Sequence, residues 1–248
     1  MNTVGDVPVV AVASGKGGVG KTSVAVSLAR DLVARGRRVG LLDADLYGPD
    51  VPRMLGIRRD APAESVQVAA APGSRYAAIE AVAVDGLKVA SVGFLLGREQ
   101  GFAAAAPFAE LLLGRLIRQT VWGALDVLVV DLPPGTGDVQ TALLRLSDRV
   151  AVILVATPDE VAHLDTGRTV AVLRQADAEI LGGVANMAYL TCPDCGAETA
   201  LHAPAPADRT IWALGVPKLA RLPFRPATPI SPEDIRPATH AVTAYLDR

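Results

Sequence analysis

The chain has 248 residues, of which 50% are hydrophobic and 20% charged, with a formal net charge of −2. This length and balance provide for a full buried core, and the near-neutral charge speaks against a nucleic-acid binder that works through a broad basic field. Aromatic residues make up 4% of the chain, too few for base-stacking platforms.

The opening "MNTVGDVPVVAVASGKGG" has no basic region ahead of a long apolar run. No apolar run reaches the roughly 20 residues of a membrane span. The 2 cysteines make no disulfide framework. The expected setting is the reducing cytoplasm, with neither membrane nor nucleic acid as partner.

In chain order, "VPVVAVAS" reads as a short, Val-rich buried strand. "KTSVAVSLARDLVARG" reads as a helix stopped by Gly36. "RRVGLLDAD" is a second strand. "GIRRDAPAESVQVAAAPGSRYAA" is rich in Ala and Pro and reads as a loop. "IEAVAVDG" and "LKVASVGF" make a hairpin turning at Asp85-Gly86. "PFAELLLGRLIRQTVWG" is expected to be helical throughout. "LDVLVVDLPP" and "DRVAVILVATP" are strands, "DEVAHLDTGRTVAVLRQAD" a helix and "AEILGGVANM" a strand. A second loop, "LHAPAPADRT", separates these from a last strand, "PKLARLPF", and a closing helix, "SPEDIRPATHAVTAYLD". Such alternation predicts an α/β fold: a mostly parallel, twisted sheet with helices on both faces. No linker-like break appears, so residues 1–248 are expected to form one domain.

"GKGGVGKT", Gly15 to Thr22, satisfies G-x-x-x-x-G-K-[ST] between a predicted strand and a predicted helix. The glycines let backbone N–H groups curl around phosphate oxygens, and the helix N-terminus adds partial positive charge. Lys21 is placed to reach the β- and γ-phosphates and the Thr22 hydroxyl to ligate Mg²⁺. Gly15, Lys16, Gly17, Gly18, Val19, Gly20, Lys21, Thr22 and Ser23 are the expected nucleotide contacts, with ATP and Mg²⁺ as ligands. Asp131 follows "VLVV" at a strand end, as a Walker B aspartate does, and is expected in the Mg²⁺ shell.

Lys16 is a second lysine inside the loop, giving "KGGVGKT". With it the loop resembles the variant P-loop of the SIMIBI-class ATPases, which include nitrogenase iron protein and the MinD and ParA proteins. The resemblance implies a homodimer in which Lys16 reaches the partner's nucleotide. It also implies that Asp45 orients the attacking water near Mg²⁺, while Asp43 holds the loop. Asn186 would meet the adenine edge, and the backbone near Pro223 and Phe224 would flank the base. "PPGTGD" would be a switch loop that responds to the γ-phosphate.

The 2 cysteines lie in "YLTCPDCGAE" as Cys192 and Cys195, enough for half of a four-ligand metal shell. A redox CxxC would be expected to open a helix, whereas this one follows a strand. Four thiolates across a dimer suit zinc and an iron–sulfur centre alike, and His202 is a further possible ligand within one chain. "DADLYGPDVPRMLG", "VGFLL", "DLPPGTGDVQ", "TPDEVAHLD", "ILGGVANMAYLTCPDCG" and "LGVP" occur in this order. Together they resemble the Mrp (ApbC-like) iron–sulfur cluster carrier ATPases. That resemblance implies slow ATP hydrolysis, with Lys16, Lys21 and Asp45 catalytic. It implies a [4Fe–4S] cluster bridged by Cys192 and Cys195 of two subunits, and transfer between a cluster-assembly scaffold and apo iron–sulfur proteins. Zn²⁺ at the pair is the alternative cargo, and a MinD- or ParA-like positioning ATPase the alternative function. The chain departs from the family pattern at "GREQGFAAAAPF", where a Trp-Arg-Gly-Pro segment is usual, and at "LHAPAPADRTIW", where a Gly-rich stretch is usual.

Overall fold

The computed structural model describes residues 7–46, 48–57, 68–70, 77–94, 106–135, 138–225 and 229–248. Tyr47 of the "DLYGPD" motif, Thr136 and Gly137 of the switch loop, and residues 97–105 of the departing segment lie outside these.

Val-rich runs that bury both faces become the central strands. β1 (Val9–Ala13), β2 (Val39–Asp43), β8 (Val127–Asp131) and β9 (Val150–Ala156) are buried along their whole length. They pair in parallel, β9 and β8 on either side of β1, and β2 beyond β8. β6 (Leu87–Ser91) extends this order past β2 and carries β5 (Val82–Val84) antiparallel at the edge. On the other side β10 (Glu179–Thr191) pairs with β9, and β12 (Lys218–Pro223) with β10, both parallel. A short β11 (Glu198–Thr199) folds back antiparallel on the end of β10.

The alternation along β1 assigns its two faces. Val9, Ala11 and Ala13 join one core with side chains from α3 (Ala106–Gln119), α4 (Asp138–Leu146) and α5 (Glu160–Gln175). Val10 and Val12 join the other, with α1 (Lys21–Ala34), α2 (Val51–Met54) and α6 (Pro232–Leu246). Helices therefore cover both faces, as the alternation in sequence implies. Among the described residues no helix is long and apolar enough to cross a membrane.

The hairpin expected at Asp85-Gly86 is present, with φ of 48° and 78° at the two positions, as a tight β-turn of this type requires. Two expectations need correction. The stretch 56–78, read as loop, contains β3 (Val68–Ala70) and the start of β4 (Ala77–Glu80). Its richness in Ala and Pro hid a small sheet that gains its third strand, β7 (Thr120–Val121), from far along the chain. For the same reason the helix predicted over 107–123 ends at Gln119: β-branched Thr120 and Val121 pair with β4 instead. The loop after the cysteines is tethered, since Ala205 N–H donates to the Pro158 carbonyl at 2.9 Å and a single helical turn, Ala207–Arg209, follows.

Candidate nucleotide and thiol sites

The P-loop joins the end of β1 to α1, in the crevice at the carboxyl ends of the parallel strands. β8 and β9 leave it to opposite sides of β1, so the crevice lies at the point where the strand order reverses. Two glycines show why the loop needs this composition. Gly15 donates its N–H to the Thr166 hydroxyl at 3.2 Å, and a Cβ there would collide with the Asp165–Thr166 backbone of α5. Gly20 is left-handed, φ 81°, and a Cβ there would strike the Asn186 amide. α1 begins at Lys21 without a side-chain cap, so its first N–H groups are available to an anion. The loop from Lys16 to Ser23 lines a cleft of about 740 Å³ together with Asp45, Arg53 and Met187.

Lys21 is 6% exposed and its ammonium lies 2.7 Å from Asp131 and 4.0 Å from Asp45. Asp131 is fully buried at the end of β8. Burial pushes its carboxyl up against the pull of Lys21 and of the nearby Thr22 hydroxyl. Its Oδ2 has no hydrogen-bond partner. A buried carboxylate oxygen left unsatisfied is costly unless a cation or donor completes it. With the Thr22 hydroxyl close to the same carboxylate, the donor set fits Mg²⁺.

Asp43 has the loop-holding geometry expected of it. Its carboxylate accepts from the backbone N–H groups of Asp45 and Val51, each at 3.2 Å, and from the Ser91 hydroxyl at 3.0 Å. Burial, and next the charge of Asp131, raise its pKa to about 8 against these bonds. A carboxyl raised in the folded state takes up a proton on folding. Its effect on stability is therefore least harmful below the unfolded value near 4, and stability falls as pH rises towards about 8. In nucleotide-free protein, Asp43→Asn should gain melting temperature relative to the parent between about pH 5 and about pH 8. A difference that does not change with pH would remove this assignment.

Lys16 makes an ion pair within its own chain, at 3.2 Å from Asp159. Asp159 caps α5 by accepting from Ala162 N–H and also accepts from the Thr157 hydroxyl. Partial burial pushes its carboxyl up, but these bonds and Lys16 outweigh that and hold it at about 2. An N-cap aspartate ahead of "EVAHLD" is legible in sequence; its pairing with a lysine 143 positions away is not.

A second cleft, about 390 Å³, adjoins the first and is lined by Ser23, Asn186, Met187, Pro223 and Phe224 among others. Asn186 is buried and donates its amide N–H to the Val19 carbonyl at 2.8 Å. The residues expected around a base are thus gathered beside the phosphate loop. Met187, which lines both clefts, carries no sequence signal that marks it.

The thiols stand outside the clefts, in the turn between β10 and β11. Cys192 N–H donates to the Ala197 carbonyl at 2.8 Å and its carbonyl accepts from Gly196 N–H at 2.9 Å. This tight turn aims the N–H groups of Cys195 and Asp194 at the Cys192 sulfur, which lowers its thiol pKa. Both cysteines are free, Cys192 half-buried and Cys195 exposed. Among the described residues no third metal-ligating side chain joins them, His202 included.

Residues 7–244 match the model of the ParA-type NUBPL iron-transfer P-loop NTPases. An iron-sulfur cluster carrier protein of Haemophilus influenzae is 38% identical over 216 residues, 87% of this chain and 56% of that protein. One from Pseudomonas fragi is 39% identical over the same share of this chain and 72% of its own length, and one from Deinococcus radiodurans 42% identical over 76% of this chain and 51% of its own. The chain thus spans about half the length of several of these relatives. Among solved structures, a nucleotide-binding protein of Archaeoglobus fulgidus in complex with ADP superposes with a TM-score of 0.70 at 29% identity, covering 94% of this chain and 86% of that one. The cell division ATPase MinD of Pyrococcus furiosus, at TM-score 0.61 and 21% identity, shares the fold. The phosphate loop, the buried Lys21–Asp131 pair and the match over residues 7–244 agree: the chain belongs to the NUBPL iron-transfer family of P-loop NTPases.

Proposed function

We propose that this chain is a slow ATPase that carries a [4Fe–4S] cluster between the Cys192–Cys195 pairs of a homodimer and transfers it to apo iron–sulfur proteins. The observation that carries the reading is the pairing of two unlike sites in one chain, treated as one domain. A phosphate loop with its buried carboxylates lies beside the middle of β10, against Asn186 and Met187, and an exposed thiol pair with one depressed pKa follows the carboxyl end of the same strand. The names of the relatives at 38–42% identity support the cargo.

Binding would rest on the N–H groups of residues 15–23, on Lys21 against the phosphates, and on Asn186, Pro223 and Phe224 around adenine. Thr22, Asp131 and Asp45 would hold Mg²⁺, which supplies charge neutralisation at the phosphates. Asp45, part-exposed beside Lys21, would orient the attacking water. Lys16 would leave Asp159 and stabilise transferred charge across the dimer. Both partners of that pair are part-exposed, and such pairs exchange at small cost. Lys16→Ala should therefore retain nucleotide affinity while turnover falls about a hundredfold. Unchanged steady-state phosphate release would remove the role in trans.

The chain's expected setting, in cytoplasm between a cluster-assembly scaffold and client apo-proteins, follows from the same reading. A membrane- or DNA-positioning role would need a basic amphipathic closing helix. α6 instead carries Glu233 and Asp234 in its first turn and no basic residue in its last. The decisive experiment is anaerobic purification and reconstitution, with iron, sulfide and zinc measured per dimer. Iron and sulfide in equal, cluster-sized amounts support the carrier; zinc without sulfide overturns it.

A further inference from the structure

Strand β10 physically joins the two sites. Asn186 and Met187 stand midway along it, beside the phosphate loop, and Cys192 follows Met187 by five residues. The strand is not regular between them. Ala185 pairs with Arg221 and Tyr189 with Pro223, so four steps along β10 match two along β12. Met187 sits inside this bulge at φ 52°. Among the described residues the other left-handed non-glycine positions are Asp85 and Asp177, both in turns, where aspartate tolerates that conformation. A methionine held left-handed inside a strand is an outlier of the kind that clusters at switch regions.

Its surroundings give that outlier a use. The Met187 Cε packs over Gly20, 3.2 Å from where a Cβ on that glycine would stand. Met187 also lines both the phosphate cleft and the base cleft. A nucleotide therefore cannot settle without meeting it. On the far side of the bulge, the Tyr189 carbonyl accepts from Phe224 N–H at 2.7 Å, so a second wall of the base cleft is bonded to the same strand. The Tyr189 ring lies 4.1 Å beneath the Arg221 guanidinium, and Arg221 pairs with Glu198 of β11 at 2.6 Å. Glu198 in turn faces Thr191, the residue before Cys192. Each link is a packed or hydrogen-bonded contact.

We propose that Met187 is a positioning residue that couples occupancy of the nucleotide site to the geometry of the Cys192–Cys195 turn within a single chain. Nucleotide seated against Gly20 displaces the thioether. The left-handed residue relaxes, the bulge shifts against β12, and the N–H groups aimed at the Cys192 sulfur move with the turn. Linkage makes the effect reciprocal: whatever changes the turn changes nucleotide affinity by the same factor. The inference rests on the nucleotide reading above and is independent of which metal the thiols carry.

The test is the alkylation rate of Cys192 by iodoacetamide, read by mass spectrometry on metal-free protein, with and without saturating Mg-ADP. Calorimetry first establishes binding and the saturating concentration for each variant. The parent should show a rate change of about fivefold on ADP binding, unchanged on tenfold dilution, because the coupling lies within one chain. In Met187→Gly, which removes both the thioether and the strain, the ratio should fall to one. Met187→Ala, which removes the thioether alone, serves where the glycine variant does not fold, and should also lower the ratio. A parent ratio of one with ADP bound, a ratio that persists in both variants, or an effect that vanishes on dilution overturns the proposal. Absence of ADP binding by calorimetry overturns the nucleotide reading and this proposal together. A chain without iron or sulfide leaves the alkylation ratio as the deciding result.

Discussion

Lys21→Ala is expected to lose measurable nucleotide binding. The ammonium lies at the mouth of α1, almost wholly buried, 2.7 Å from Asp131. It is the one side-chain cation that the loop sequence aims at the β- and γ-phosphates. Charge-assisted hydrogen bonds of this kind contribute about 1.5–3 kcal/mol each. Losing two corresponds to an affinity drop of at least about a hundredfold. A second effect adds to the first. Removing the cation leaves Asp131, with its unpartnered Oδ2, and the neighbouring Asp43 in a buried site without a counter-charge. Breaking such a pair from one side costs about 3–5 kcal/mol unless a proton replaces the cation, so the variant should also melt earlier at high pH than at low. Calorimetry with Mg-ADP on protein shown to be folded by circular dichroism separates the two effects. Parental affinity in folded Lys21→Ala would refute the site.

The parts of this molecule that were legible in its sequence are those in which local chemistry and global fold coincide. The run of Val before "GKGGVGKT" and the helix after it fix the phosphate loop in its crevice, because that junction has one low-strain solution. Asp43 and Asp131 are readable as strand-end carboxylates for the same reason, and Cys192 and Cys195 as a turn because Pro193, Asp194 and Gly196 surround them. What stayed hidden depends on distant partners. Nothing near Lys16 indicates that Asp159 will hold it. Nothing in "NMAY" marks Met187 as left-handed, since the bulge arises from how β10 fits β12 rather than from a glycine or asparagine at that position. β3 and β7 are too short for periodicity, and they exist because β4 lies between them. The α4 helix after the switch loop does carry a helical signal in sequence, with Val139, Ala142, Leu143 and Leu146 recurring at i, i+3, i+4 and i+7.

Cys192→Ala is expected to abolish the cargo site, and the geometry says why this cysteine matters more than its exposure suggests. One chain offers two thiols and, among the described residues, no third ligand, so in the proposed dimer each thiol would supply a quarter of a four-thiolate shell spanning two chains. Loss of one residue would therefore remove two of four ligands from the proposed dimer. Cys192 is also the sulfur towards which the turn directs the N–H groups of Cys195 and Asp194. Those donors stabilise the thiolate, the form that binds metal, and hydrogen bonds to sulfur tune a bound cluster. Cys195→Ala removes a ligand but leaves these two backbone donors in place, so it is expected to retain more residual metal than Cys192→Ala. After anaerobic reconstitution the parent should be brown, with iron and sulfide bound; Cys192→Ala should be colourless, with neither. It should still bind nucleotide, because the P-loop contacts do not include the turn, with an affinity change no larger than the roughly fivefold coupling through β10. Iron and sulfide retained at parental levels in Cys192→Ala would place the cluster elsewhere in the molecule.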